Sequence, residues 1–269
     1  MSSQVETFKK ISIRFKHYIQ EANTVWEAFS VIGFYSKELH NQVKLGKISL
    51  PTHQSLTYKK TKSVTISKER IYGTFAHISS LQNPRNSLIA ALHAFEVYVS
   101  DLVALVYLDF PQKALGGGSD KNEIPEKIST IILDSQDKKE IIERIVEEKI
   151  RNLFYGNLSD LFLKDRAKLE LGNLFKDDNA VLIDKFVEIS ARRNIYVHNG
   201  GKVDRKYIRE TKITTHKVGS VIKIDSNYLK DAINIMSQIA KLLTCEVLKN
   251  IYNTTNYSTL LKRTYWKNS

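Results

Sequence analysis

The sequence predicts a mostly all-α protein, and three observations carry that expectation. Apolar residues recur at three- and four-residue steps over long stretches, as in Leu88, Leu92, Phe95, Val99, Leu102 and Val106, the spacing of a buried helical stripe. The strongest breakers, Pro111, Gly116 to Gly118, Gly172 and Gly200-Gly201, fall between such stretches rather than within them. Strand-like composition is confined to short pieces. Chief among them are Ile213–Thr215 and Val221–Ile224, joined across Val218-Gly219-Ser220, which read as one small β-hairpin.

Residues 4–45 carry two stripes. Val5, Phe8, Ile11, Phe15 and Tyr18 or Ile19 form the first; Trp26, Phe29, Ile32, Leu39 and Val43 form the second. They predict two helices, the second beginning near Thr24, packed as an antiparallel hairpin. Periodicity is lost over residues 46–66, where Pro51, β-branched residues and Lys59, Lys60 and Lys62 read as a loop or a short edge hairpin. Tyr58 beside those lysines has the aromatic and cationic mix on which single-stranded RNA stacks, and equally the composition of an ordinary surface loop.

Ser67 to Ser80 reads as a connecting helix, and Pro84 opens a long one from Arg85 to Asp109. Beyond Val97 that helix is apolar nearly all round, as a central helix is. Glu96 and Asp101 therefore stand out, because a carboxylate among apolar residues is costly unless paired. Glu96 is expected to pair with Arg192 or Arg193, or to sit at the bundle's rim or bond a tyrosine.

Leu115 to Ser119 is a connector without the Lys-Ser/Thr of a phosphate-cradling loop. Helices are then expected over Pro125–Leu133, Gln136–Phe154 and Leu158–Leu171, the last closing near Gly172. Asp178 to Gly201 follows, with Asp178 or Asn179 able to cap its start and the two glycines supplying a positive-φ stop. Its stripe is Leu182, Phe186, Ile189 and Tyr196 or Val197. Val203 to Glu210 forms a short helix. Ser226 caps the last long one, where Leu229, Ile233, Met236, Leu243, Val247 and Ile251 repeat. The organisation expected is a helical N-terminal extension over 1–84, a helical domain over 85–253 and a basic tail over 254–269.

The chain has 269 residues, 42% of them apolar, which is enough to fill a sizeable core. Its formal charge of +12 makes a polyanion such as RNA the natural partner. One cysteine, Cys245, leaves no disulfide framework, and the N-terminal stretch lacks the apolar core of a secretory signal. A cytoplasmic protein is expected. No membrane span is expected either, since Val97 to Phe110 is short and interrupted by Asp101 and Asp109. His17, His40, His53, His77, His93 and His216 are scattered without metal-ligand spacing, so neither a metal site nor a cofactor is predicted.

The functional expectation rests on the end of the Asp178–Gly201 helix, where Arg193, Asn194 and His198 crowd the last turn. Cleaving RNA without a metal needs a base for the ribose 2′-OH, an acid for the leaving oxygen and a cation for the charge building on the phosphate. Histidine titrates near neutral pH, and arginine offers a permanent planar fork to phosphate oxygens. Five residues of helix put His198 about 140° round the axis from Arg193 and about 7.5 Å further along. One straight helix therefore does not assemble the set, whereas two copies across a two-fold axis place each motif opposite itself.

Arg193-Asn194-Ile195-Tyr196-Val197-His198 resembles the Arg, polar residue, three residues, His motif of the HEPN superfamily of ribonucleases. The likeness extends to the glycine pair after the histidine, to VDRKYI after it, and to the earlier apolar helix with an internal acid, LIAALHAFEVYVSDLVALVYLDFP. It covers Leu88 to Tyr252. The resemblance implies a HEPN-like helical bundle, a homodimer with a composite cleft, and metal-independent endoribonuclease activity in host defence or as a toxin restrained by a partner. By position, Arg193, Asn194 and His198 form the catalytic set, Asn194 supporting the other two. Glu96, Arg192 and Asn199 support them, and Lys202, Arg205, Lys206 and Arg209 contact the RNA backbone. The competing expectation is a non-catalytic module of the same shape that binds RNA or protein within a defence complex.

Overall fold

The structure is a computed structural model and describes residues 2–48, 52–55, 62–115, 131, 134, 135, 137–154 and 158–254. The aromatic-cationic stretch Tyr58 to Lys60, the glycines of the connector, the helix expected over 125–133 apart from residue 131, and the tail beyond residue 254 lie outside the described residues.

The N-terminal stretch forms one helix, α1 (Ser2–Lys44), and not two. Neither glycine nor proline interrupts residues 20–30, and the two stripes join into one. Ile11, Phe15, Tyr18 and Ala22 are buried, and Val25, Trp26 and Phe29 continue the same line half-buried. At about 1.5 Å per residue such a helix is roughly 64 Å long. A short antiparallel ribbon follows, β1 (Thr52–Ser55) with β2 (Lys62–Thr65), in the register Thr52 to Thr65.

The antiparallel mate of α1 comes from further along the chain. Helix α2 (Lys68–His77), one π-helical turn (Ile78–Gln82) and α3 (Asn83–Asp109) run on without a break. Pro84 has no N–H and its ring crowds the carbonyl four residues back, and the π turn just before it is the local widening that lets the helix pass through. Asn83 ties the two rods together, donating from Nδ2 to the Phe29 carbonyl at 2.8 Å.

Helix α3 is the spine. Leu88, Leu92, Phe95, Val99, Leu102, Val103 and Val106 are buried against α1 on one side and the later helices on the other. By length and composition alone the continuous run Glu69–Asp109, of which α3 is the larger part, is long and apolar enough to cross a membrane, with a mean hydropathy of 1.7 over its most apolar window, contrary to the expectation that no such run exists. Half of that window is buried within the fold, which is how a central helix satisfies the same test. Its two conspicuous acids are both paired: Asp101 lies 3.6 Å from Arg14 of α1, and Glu96 pairs with Arg193.

Around the spine lie α4 (Pro111–Leu115), α5 (Lys138–Phe154), α6 (Ser159–Leu163), α7 (Ala180–His198), α8 (Arg205–Thr211) and α9 (Ser226–Asn250). Phe95, Phe162, Phe175 and Phe186 meet edge-on and tilted at centroid distances of 5.2 to 6.2 Å, joining α3, α6 and α7. On α9, Leu229, Ile233, Met236, Leu243 and Val247 are buried as their spacing predicts. Its cap is Asp225, whose carboxylate accepts the Tyr228 N–H, and not Ser226. Cys245 is buried in this helix, and burial pushes its thiol up to about 11.

The helix expected over 158–171 is only one turn and a half. Asp165 ends it by turning its carboxylate onto the N–H groups of Leu169, Glu170 and Leu171, offering the backbone an alternative to helical bonding. Asp165, Lys168 and Glu170 adopt left-handed φ in consequence. The hairpin expected over 213–224 is also absent. Residues 219–222 instead lie antiparallel to 201–203, with Val203 N–H bonded to the Ser220 carbonyl at 2.8 Å and Ile222 N–H to the Gly201 carbonyl at 3.1 Å. Val221 thus pairs with Lys202 rather than with Ile213–Thr215.

Candidate active site

The candidate site is the C-terminal end of α7. The helix starts at Asn179, but the Asn179 side chain does not cap it and donates back to the Leu174 carbonyl at 3.0 Å. The far end follows expectation. Asn199 leaves helical geometry, Gly200 and Gly201 take φ of 60° and 81°, and the Gly201 N–H returns to the Ile195 carbonyl at 3.0 Å. Gly201 also has no room for a side chain, because a Cβ there would stand 2.9 Å from the Tyr196 ring. Tyr196 is buried beneath it and donates its hydroxyl to the Ile222 carbonyl. Phe186, Ile189 and Tyr196 lie on the buried stripe; Val197 is exposed.

Two consecutive arginines on this helix go to opposite fates. Arg192 is buried, its Nε donating to Glu188 at 2.7 Å, one turn back, and its Nη1 to the Lys223 carbonyl at 3.2 Å. Its guanidinium lies 3.8 Å above the centre of the Tyr228 ring, a cation–π contact. Glu188 also accepts the hydroxyls of Tyr207 at 2.6 Å and Tyr228 at 2.7 Å, so one carboxylate gathers α7, α8 and α9. Burial works against the Arg192 charge, but Tyr228, Glu188 and Tyr207 outweigh it and hold the guanidinium above its usual pKa. Burial and then Glu188 raise both tyrosines above the ordinary phenol range. Arg192, expected beside the catalytic set, is a member of this network, three of whose side chains, Glu188, Arg192 and Tyr228, line a hollow of about 450 Å³.

Arg193 turns toward α3 and pairs with Glu96, both side chains about a quarter exposed, at 26% and 27%. Of the two pairings open to Glu96, the structure has this one. Asn194 is half-buried, and His198 is exposed at the helix end with no hydrogen-bond partner among the described residues. Asn199 makes two long contacts from Nδ2, to the Lys202 carbonyl and to Asp204, each 3.4 Å, and so braces the turn. Asp204 caps α8 through the Tyr207 N–H at 2.7 Å. Lys202, Arg205, Lys206 and Arg209 are all exposed along this turn and α8, Lys206 lying 3.8 Å from Glu210.

Within one chain the structure therefore gathers Arg193 and Glu96 on one side and Asn194 and His198 on the other side of a shared helix end, with a cationic surface just beyond. It does not bring Arg192 to that surface. Sequence reasoning missed Glu188, Tyr207 and Tyr228. The Glu188–Arg192 step of four residues, acid first, was the one local signal for them; the tyrosines come from other helices and left none. No known protein family matches the chain, nor does any curated protein or solved structure.

Proposed function

We propose that this protein is a metal-independent endoribonuclease of the HEPN type, cutting single-stranded or loop RNA as a cytoplasmic homodimer in host defence or as a toxin held by a partner. The observation supporting this most is the partition of the two arginines. The core consumes Arg192, while Arg193 stays about a quarter exposed on a carboxylate support, on the same helix end as an exposed imidazole. In this reading Glu96 holds the Arg193 fork in a fixed orientation without removing it from solvent. A phosphate oxygen competes well for a guanidinium already aimed and only partly desolvated.

His198 takes the 2′-OH proton or gives one to the departing 5′-oxygen. The 2′-oxygen attacks the adjacent phosphorus, the bond from phosphorus to the 5′-oxygen breaks, and a 2′,3′-cyclic phosphate and a 5′-hydroxyl result. Arg193 stabilises the charge on the non-bridging oxygens while this happens. Arg193 and His198 point about 140° apart on a single helix, so the groove needs a second copy whose motif faces the first. Lys202, Arg205, Lys206 and Arg209 hold the flanking backbone, and unstacked RNA is favoured because in-line attack needs a splayed nucleotide.

The test is incubation of the purified protein with RNA in excess chelator, beside Arg193→Ala and His198→Ala variants. Cutting in the parent, lost in both variants, supports the enzyme; identical traces in all three sink it. The Glu96 contact also favours a second reading, in which the pair is a clamp between α3 and α7 and the cationic turn only binds RNA or protein. That reading expects RNA retention without cutting, and binding that survives His198→Ala.

A further inference from the structure

A second cationic concavity lies well away from the motif. Tyr107 near the end of α3, α4, the last turns of α5 and the loop after α6 enclose a cavity of about 440 Å³. Five cations line it, Lys113, Lys149, Lys164, Arg166 and Lys168, against one acid, Asp165. Tyr107 stands eleven residues beyond Glu96 on α3, which is roughly 16 Å along the axis, so the cavity is not part of the candidate active site.

The local acids are already committed. Asp165 is turned onto three backbone N–H groups at 2.8 to 3.3 Å. Asp160 pairs with Lys164 at 2.9 Å, and Glu170 pairs with Lys113. Lys113, only 15% exposed, also donates to the Lys168 carbonyl at 3.0 Å, so its ammonium is fixed in place. Lys149, Arg166 and Lys168 have no acidic partner among the described residues. Set against Asp160, Asp165 and Glu170, the five cations leave an excess of two positive charges among the described residues around one hollow, which raises the local potential and attracts an anion. The hollow is of the size that takes small molecules, far too narrow for a duplex, and among the described residues of its lining only buried Tyr107 is aromatic. The recognition it offers is of phosphate charge, not of a base.

We propose that this cavity binds a small ligand carrying several phosphates, such as a nucleoside triphosphate or a free polyphosphate chain, through Lys149, Arg166 and Lys168 with Lys113 at its edge. The proposal is independent of the nuclease reading. It is tested by calorimetric titration of the full chain with inorganic tripolyphosphate, ATP and adenosine. The expected result is one saturable site for both tripolyphosphate and ATP, weakened at least tenfold by raised salt, and no binding of adenosine. A ratio near one between the first two identifies bare phosphate as the recognised group, and tighter ATP binding assigns the nucleotide as the source.

Lys149→Ala with Arg166→Ala should weaken binding at least tenfold, and so should Lys168→Asn, whose side chain tolerates the left-handed backbone. Lys202→Ala with Lys206→Ala, on the other cationic surface, should leave it unchanged. Absence of saturable binding, binding of ATP but not tripolyphosphate, or equal loss in both sets of folded variants overturns the proposal. So does a single-stranded RNA oligonucleotide that depends on Lys149 and Arg166 but is not displaced by tripolyphosphate.

Discussion

Arg192 and Arg193 are the same residue type, adjacent in one helix, yet one is tied into the scaffold and the other stands on a single partly exposed carboxylate. A helix turns by about 100° per residue, so neighbours look in different directions, and their surroundings decide the rest. Arg192 faces Glu188, Tyr207 and Tyr228, and is tied down by the Glu188 carboxylate that both tyrosines share and by the Tyr228 ring. Arg193 faces a single carboxylate at the rim of α3. A shared network spends its charge on holding helices together, whereas an open pair keeps a charge available to something that is not yet there.

The sharpest way to break this comparison is to truncate both arginines. Arg192→Ala strands Glu188, whose own side chain is only 13% exposed, and should cost about 3–5 kcal/mol by chemical denaturation. Arg193→Ala should cost about 1 kcal/mol or less and, on the proposed nuclease reading, lower chelator-resistant RNA cutting by roughly 100-fold or more. Equal stability losses would collapse the distinction. Next in size, Gly201→Ala combines a left-handed backbone with a Cβ against the Tyr196 ring and should cost about 2–4 kcal/mol. Gly200→Ala, with open space around it, should cost only about 1–2 kcal/mol in the same assay.

Tyr207→Phe and Tyr228→Phe each remove a hydroxyl donated to the Glu188 carboxylate, for about 1.5–3 kcal/mol. These tyrosines also sharpen the comparison through pH. Their folded pKa values lie above the unfolded one, near 10, so their contribution is fully present below about pH 10 and is lost as pH rises further. Denaturation midpoints of the parent should fall as pH rises above about 10, and the double Phe variant should fall less steeply. The smallest effect is on His198, which lies exposed at the helix end. His198→Ala should change stability by about 0.5 kcal/mol or less, and any larger loss would make that imidazole part of the scaffold.

Much of this was legible in the sequence because it is local. The stripes of α3, α7 and α9, the glycine stop after His198 and the need of Glu96 for a cation all follow from spacing and from the cost of a buried charge. What was illegible depended on distant chain. The two stripes of α1 read as two helices because a gap in apolar spacing resembles a turn, and only packing against α2 and α3 shows them to be one. Asp165 looked like one more helix residue, since nothing local announces that its carboxylate will take three backbone donors. The 218–224 segment has strand composition, but its partner is the turn after His198 and not its own neighbour. The network on Glu188 required two tyrosines from separate helices to converge, and one helix alone shows only the first link.

The unbroken run of α1 has a mechanical corollary. Val31, Phe34, Tyr35 and Leu39 are exposed on its distal half, beyond the segment that packs on the spine. His40 meets the Tyr72 ring of α2 and Val43 is buried near the far end, so the rod is held along its length and keeps its two ends a set distance apart. The chain thus possesses a built-in ruler, its span set by a count of residues at a fixed rise and its straightness by the helices packed along it.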